Sequence, residues 1–275
     1  MTATNGAKPV LLHAHLFKNA GTTLDWSLER SFGDRFCDHR GDADMRANPE
    51  YLANFLKRNP RLQALSSHWL PFPLPSVEGL RLVPLVILRD PIERILSVYE
   101  FERRQAVDHP GTRKARDGDL QSYVAWRLEK GTGPVVRNYQ VRMMSGTYPG
   151  SGDEAQFDRA VALLNGLPAI GMVDRYRESA VMFEQTLKQD FPDLDLAFRR
   201  QNVRDSSDHR SSDERRAAVE EELGPLLQSV REANSLDIAL YELACRRFET
   251  HWQGLKESDV LLDELDARCM KLGES

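Results

Sequence analysis

The chain has 275 residues, 41% of them hydrophobic and 29% charged, with a formal net charge of −5. That length fits one large α/β domain with a sizeable core, and the acidic balance argues against a nucleic-acid partner. Met1 to Pro9 lacks an apolar stretch of signal-peptide length, no run reaches the length of a membrane span, and Cys37, Cys245 and Cys269 form neither a metal pattern nor a disulfide framework.

The expectation is a reduced, cytoplasmic protein with no integral membrane segment. Along the chain, residues 10–16 read as a first strand, followed by a small-residue turn and a helix with Leu24, Leu28 and Phe32 on one face. Residues 49–58 suit a short helix (Tyr51, Leu52, Phe55, Leu56), and residues 62–67 a second strand. A third strand covers 83–88, with Pro84 arguing that it properly starts after the proline. Asp90, Pro91 and Glu93 then read as a capping box that opens a helix with proline at its first position. Residues 105–119 are rich in charge, Gly and Pro and read as a mobile surface loop; 145–155 read as another loop. A fourth strand is expected at 169–173. Residues 199–213 are polar and basic, Ser211 and Glu214 form a capping box, and Gly224-Pro225 interrupts the helix that follows. A helix covers 235–250, and 255–272 is amphipathic. Strands each followed by loop or helix signals predict a central parallel sheet flanked by helices, with a helical C-terminal third. The chain reads as one domain over 1–275, with a core of about 10–250 and an amphipathic tail at 251–275.

The loop after the first strand carries the chemistry. Lys18, Asn19, Ala20, Gly21, Thr22 and Thr23 lie between a strand end and a helix start, where backbone N–H groups and the helix dipole favour an anion. Lysine precedes the glycine here, opposite to the order of the nucleoside-triphosphate loop. Arg89 follows the third strand, with Ser97 about two turns into the next helix. His68 ends the second strand. Lys18, His68 and Arg89 thus share the carboxyl edge of the expected sheet, where doubly wound proteins bind ligands.

Phe17-Lys18-Asn19-Ala20-Gly21-Thr22-Thr23-Leu24 resembles the Pro-Lys-Thr-Ala-Gly-Thr-Ser/Thr loop of the sulfotransferases related to heparan sulfate 2-O-sulfotransferase and its bacterial relatives. Arg89-Asp90-Pro91-x-x-Arg94-x-x-Ser97-x-Tyr99 resembles that family's second loop. Family-like order continues through residues 138–146, 170–176 and 234–241, so the resemblance spans roughly 10 to 250. It implies a P-loop-like sulfotransferase fold and transfer of a sulfuryl group from 3′-phosphoadenosine 5′-phosphosulfate (PAPS) to an acceptor hydroxyl. It assigns residues 18–23 to the phosphosulfate, Arg89 and Ser97 to the 3′-phosphate, and Lys18 and His68 to catalysis. Phe17 and Asn19 depart from the family's Pro and Thr, which removes a hydroxyl beside the lysine.

His13 and His15 lie on one face of the first strand, and His15 could approach the loop. Asn138 and Arg142, four apart on a helix, lie toward the acceptor in the resemblance. Arg204 stands in a basic stretch that takes the place of a nucleotide-covering loop. Asp42 and Asp44 read as loop solvation. No motif calls for a metal. The acceptor, whether glycan, glycolipid or metabolite, is open. A P-loop-type kinase would need glycine before lysine and a magnesium carboxylate. A catalytically silent nucleotide-binding protein need not keep Lys18 and His68 together.

Overall fold

A computed structural model describes residues 6–146, 152–199 and 210–273. In chain order it contains β1 (Lys8–Ala14), α1 (Gly21–Phe32), β2 (Phe36–His39), α2 (Asp42–Ala47), α3 (Tyr51–Arg58), β3 (Ala64–Ser67), β4 (Leu80–Leu88) and α4 (Pro91–Arg104). There follow α5 (Pro110–Asp117), α6 (Leu120–Leu128), α7 (Tyr139–Met144), α8 (Asp153–Gly166), β5 (Gly171–Met172) and α9 (Tyr176–Leu187). The C-terminal third is α10 (Ser212–Leu223), α11 (Leu227–Ala233), α12 (Ser235–Gln253) and α13 (Ser258–Gly273). Among the described residues no helix is long and apolar enough to cross a membrane.

The five strands form one sheet in the order β2-β3-β1-β4-β5, and every pairing is parallel. This is the α/β architecture the sequence leads one to expect. β1 lies at the centre, and the chain runs from β1 out to β2 and β3 on one side before crossing to β4 on the other. The strand order therefore reverses between β1 and β4, which opens a crevice at their carboxyl ends.

Alternation along β1 divides the core between the two faces of the sheet. Val10, Leu12 and Ala14 join Val86 and Leu88 in a cluster with residues of α7, α8 and α12. Leu11 joins Leu85 and Ile87 against Leu24, Leu28 and Phe32 of α1, with α9 behind them. The tail helix α13 belongs to this second layer through the fully buried Leu265. A third cluster gathers Ile92, Ile95, Val98 and Tyr99 of α4 with residues of α5, α6 and α10, and the half-buried Phe17 packs against it. Its residues come from no strand, so α4 packs within a helical layer rather than onto the sheet.

Four sequence expectations are corrected. Residues 36–39 form the edge strand β2, which went unread. Phe36 and Cys37 are half-buried, Asp38 is exposed and His39 is buried, so the strand carries no apolar run. Pro84 lies inside β4, not before it, opposite Leu12 of β1. Among the described residues the other edge of β4 is unpaired until Ile87, so a missing N–H at Pro84 can face that edge without breaking a ladder bond. Residues 110–117 form α5 rather than a loop: the His109 imidazole accepts from the Gly111 and Thr112 N–H groups, and the Thr112 hydroxyl accepts from the His109 N–H. Asp90 caps α4 as read, accepting from the N–H groups of Ile92 and Glu93 (both 2.9 Å). Glu93, however, turns to the hydroxyl of Ser212 and the guanidinium groups of Arg89 and Arg215 instead of closing a box. The capping box of Ser211 and Glu214 forms as expected.

Candidate functional site at the carboxyl edge of the sheet

The loop leaving β1 is tightly constrained. Lys18 and Ala20 both adopt left-handed backbone, with φ of 66° and 61°. Two such non-glycine residues in three positions cost on the order of 1 kcal/mol each, and such strain persists only where the surroundings enforce it. Here the enforcing contacts are visible. The Phe17 N–H donates to the Tyr139 hydroxyl (3.1 Å), and the fully buried Arg94 donates to the Phe17 carbonyl (3.1 Å) while lying over the Tyr139 ring. Asn19 donates to the Ile87 carbonyl (2.9 Å) and to the Gln140 side chain (2.7 Å). Gln140 also accepts from the Arg89 N–H (3.0 Å) and donates to the Arg89 carbonyl (2.9 Å), so one buried amide ties the loop after β1 to the loop after β4.

The turn then enters α1 through Ala20, which offers no side-chain cap, and α1 has no acidic residue in its first turn. Its positive end therefore faces the edge without a built-in counter-charge. Thr22 is exposed there, while Thr23 is buried. Lys18 lies with its ammonium 4.6 Å from the Phe101 ring centroid. Arg89 donates to the Lys18 carbonyl (3.3 Å), which places the guanidinium against the same loop.

On the other side of the loop stand three histidines. The period of two puts His13 and His15 on the α1 face, where both reach Asp25. His13 Nδ1 lies 2.7 Å from one carboxylate oxygen and His15 Nδ1 2.6 Å from the other. Arg40 donates to that second oxygen at 2.6 Å. Burial alone would raise the Asp25 carboxyl. The charge and hydrogen bond of His13, with the bond from His15, outweigh it and hold the group well below the usual carboxylate range. Burial lowers His15 despite its bond to Asp25. Because Asp25 stays ionised and only accepts, both Nδ1 atoms carry the proton.

The His68 ring stands edge-on to His15, with centroids 4.7 Å apart, and its Nδ1 is 3.3 Å from Asp42. Asp42 therefore contacts a candidate base, a correction to its reading as loop solvation. Burial, then His15 and Arg40, lower the His68 pKa, so the imidazole is neutral near pH 7. With Nδ1–H turned to Asp42, Nε2 holds the lone pair. The His15 ring in turn lies against Gly21, where a Cβ would sit 2.2 Å from His15 Cδ2. Gly21, His15 and His68 thus form a line of direct contacts from the start of α1 to the end of β3.

Other expected site residues fall elsewhere. Asn138 uses its carbonyl oxygen to accept from the N–H groups of Leu236 and Asp237, so its side chain caps α12. Asn19 points into the core, and its N–H donates to the Leu16 carbonyl; it holds the loop rather than lining the edge. Arg142 is half-buried on α7, with its Nε enclosed. Ser97 is buried on α4. Arg204 lies outside the described residues. The segment carrying it leads into α10, whose Arg216 is 3.2 Å from Asp90 and whose Arg215 is 3.6 Å from Glu93, beside Arg89. Asp25, Arg40 and Gln140 were missed. The only sequence signal was a charged residue next to Leu24 on the buried face of α1.

Fold and edge define a parallel α/β protein with a helix start, a strained loop and a histidine–carboxylate cluster at its switch point. No protein-family model matches the chain. It is 30% identical over 244 residues to an uncharacterized protein of Archaeoglobus fulgidus, covering 85% of this chain and 94% of that protein. The chain belongs to that protein's family.

Proposed function

We propose that this protein is a PAPS-dependent O-sulfotransferase, cytoplasmic in setting. The observation that carries this reading is the convergence of the loop after β1, His68 and Arg89 at one edge. The loop is joined to His68 through the Gly21–His15 contact and to Arg89 through the Lys18 carbonyl. The residues suit a bisphosphorylated nucleotide: an uncapped helix start for the phosphosulfate, and Arg89 with Ser97 for the 3′-phosphate.

In the proposed reaction, His68 Nε2 takes the proton of the acceptor hydroxyl as its oxygen bonds to sulfur. The bridging S–O bond breaks, and the electron pair leaves on the phosphate oxygen of adenosine 3′,5′-bisphosphate. Lys18 neutralises that oxygen, for which its ammonium must leave the face of Phe101. Positioning and electrostatics supply most of the catalysis, as in phosphoryl transfer.

The test is turnover of radiolabelled PAPS with extracted glycans, lipids and metabolites. Removing a general base costs roughly 10²–10⁴-fold, so His68→Ala should lose turnover on that scale while keeping its melting temperature and its affinity for adenosine 3′,5′-bisphosphate. Near-normal turnover in a folded His68→Ala protein would rule out the base.

A further inference from the structure

Beside the histidine cluster lies a cavity of about 370 Å³ between α1 and β2. This is near the lower end of the range for small-molecule sites. Thr22, in the first turn of α1, and His15, which carries His68 edge-on, form one end of its wall. Trp26, Glu29, Phe36, Asp38 and Arg40 form the rest. We propose that this cavity is the acceptor subsite of the reaction suggested above, and that it takes a small cationic polyol, an amino sugar in chemical class. The proposal rests on that reading for the word acceptor but not for the ligand class.

Charge sets the class. Asp25, Glu29 and Asp38 bring three carboxylates to the wall, against a single guanidinium. That guanidinium, Arg40, is already held by Asp25 at 2.6 Å and by Asp38 at 2.5 Å. Among the described residues Glu29 is in no ion pair, and its carboxylate is exposed. An anionic saccharide would meet uncompensated like charge, whereas an amine would find a partner in Glu29. The half-buried rings of Trp26 and Phe36 offer apolar surface to a sugar ring, and the Arg30 guanidinium already lies 5.6 Å from the Trp26 centroid, so Glu29 rather than the indole selects the amine. Size agrees, since the volume suits one or two saccharide rings rather than a polymer. A ligand with its amine at Glu29 points its other end at Thr22 and His15, toward His68. Because Glu29 is exposed, water and salt screen it, so the discrimination is modest rather than absolute.

Saturation-transfer NMR titrations with glucosamine, methyl β-glucoside and glucuronate, in the presence of adenosine 3′,5′-bisphosphate, test the assignment. Glucosamine should bind about tenfold more tightly than glucuronate, with the neutral glycoside between them. Glu29→Gln should erase most of that preference, and Trp26→Ala should weaken glucosamine about fivefold or more, with bisphosphate affinity unchanged in both. Glucuronate binding as tightly as glucosamine would overturn the proposal. So would glucosamine binding that neither substitution changes, or no binding of any of the three. Bisphosphate affinity, measured on the same sample, separates the two failures. Glucosamine binding that depends on Glu29, in a protein that ignores the bisphosphate, sinks the sulfotransferase reading and leaves the cavity assigned. Bisphosphate binding without saccharide binding does the reverse.

Discussion

Gly21 has no side chain because the His15 ring occupies that space. A Cβ there would approach His15 Cδ2 to 2.2 Å, and the ring cannot swing aside while Asp25 holds its Nδ1 at 2.6 Å. Gly21→Ala should therefore cost about 1–3 kcal/mol, the range for overpacking a filled site, read as a lower urea midpoint. An unchanged midpoint would mean that the ring is not held as described. The histidines also set a pH dependence. His15 and His68 have lowered pKa values in the folded chain, while unfolded histidines titrate at about 6.5. Below that pH the unfolded state binds more protons, so the stability present above it is lost as the pH falls. Asp25, held low, keeps its own contribution until pH falls beneath about 4, the unfolded value. Urea midpoints should thus decline from pH 7 to pH 5, and less steeply in His68→Gln. A pH dependence in His68→Gln identical to that of the intact protein would contradict the assigned burial of His68. Turnover should fall only at a pH below the ordinary histidine value, where His68 Nε2 becomes protonated.

At the scale of elements, much was legible and the misses have physical causes. The strands β1, β4 and β5 announced themselves as apolar runs, β3 as a short segment around Ala64-Leu65 between polar residues, and α4 through a proline at its first turn and an Asp cap. β2 was silent because a four-residue edge strand with one exposed and one buried residue is too short and too mixed to show a pattern. α5 was hidden because Pro110-Gly111 reads as a turn and histidine is an unusual cap, while the packing that holds Gly111 comes from residues distant in sequence. A Cβ at Gly111 would meet the buried Arg127–Glu102 pair. In the site, Lys18, His68 and Arg89 could be placed on one edge from strand ends alone. Of the partners that set their surroundings, Asp25 shows only as a charge beside Leu24 on the buried face of α1, and Arg40 and Gln140 leave no local trace. Asn138 shows the converse: spacing put it on a helix face, but tertiary structure makes it a cap. It holds left-handed backbone (φ 43°) and accepts from two N–H groups at the start of α12. Asn138→Ala should lose about 1–2 kcal/mol, as other cap removals do, with no change in acceptor KM. A changed KM at unaltered stability would return Asn138 to the acceptor.

At the scale of the molecule, the strand order decides where chemistry can happen. With β1 central and the chain reversing between β1 and β4, the two loops that leave their carboxyl ends must face one crevice. Gln140 and Arg94, both buried, bind these loops to α7 and to the helical layer around α4, so the crevice is built by three layers at once. Binding there should report on the whole arrangement. The most direct measurement is calorimetric titration of the protein and of Arg89→Ala with adenosine 3′,5′-bisphosphate and with AMP. A charge-assisted hydrogen bond contributes on the order of 1.5–3 kcal/mol, or roughly ten- to a hundredfold in affinity. The intact protein should prefer the bisphosphate over AMP by such a factor, and Arg89→Ala should abolish most of that preference while AMP affinity holds. Equal affinity of the intact protein for the two nucleotides would contradict the 3′-phosphate site, and with it the sulfotransferase reading.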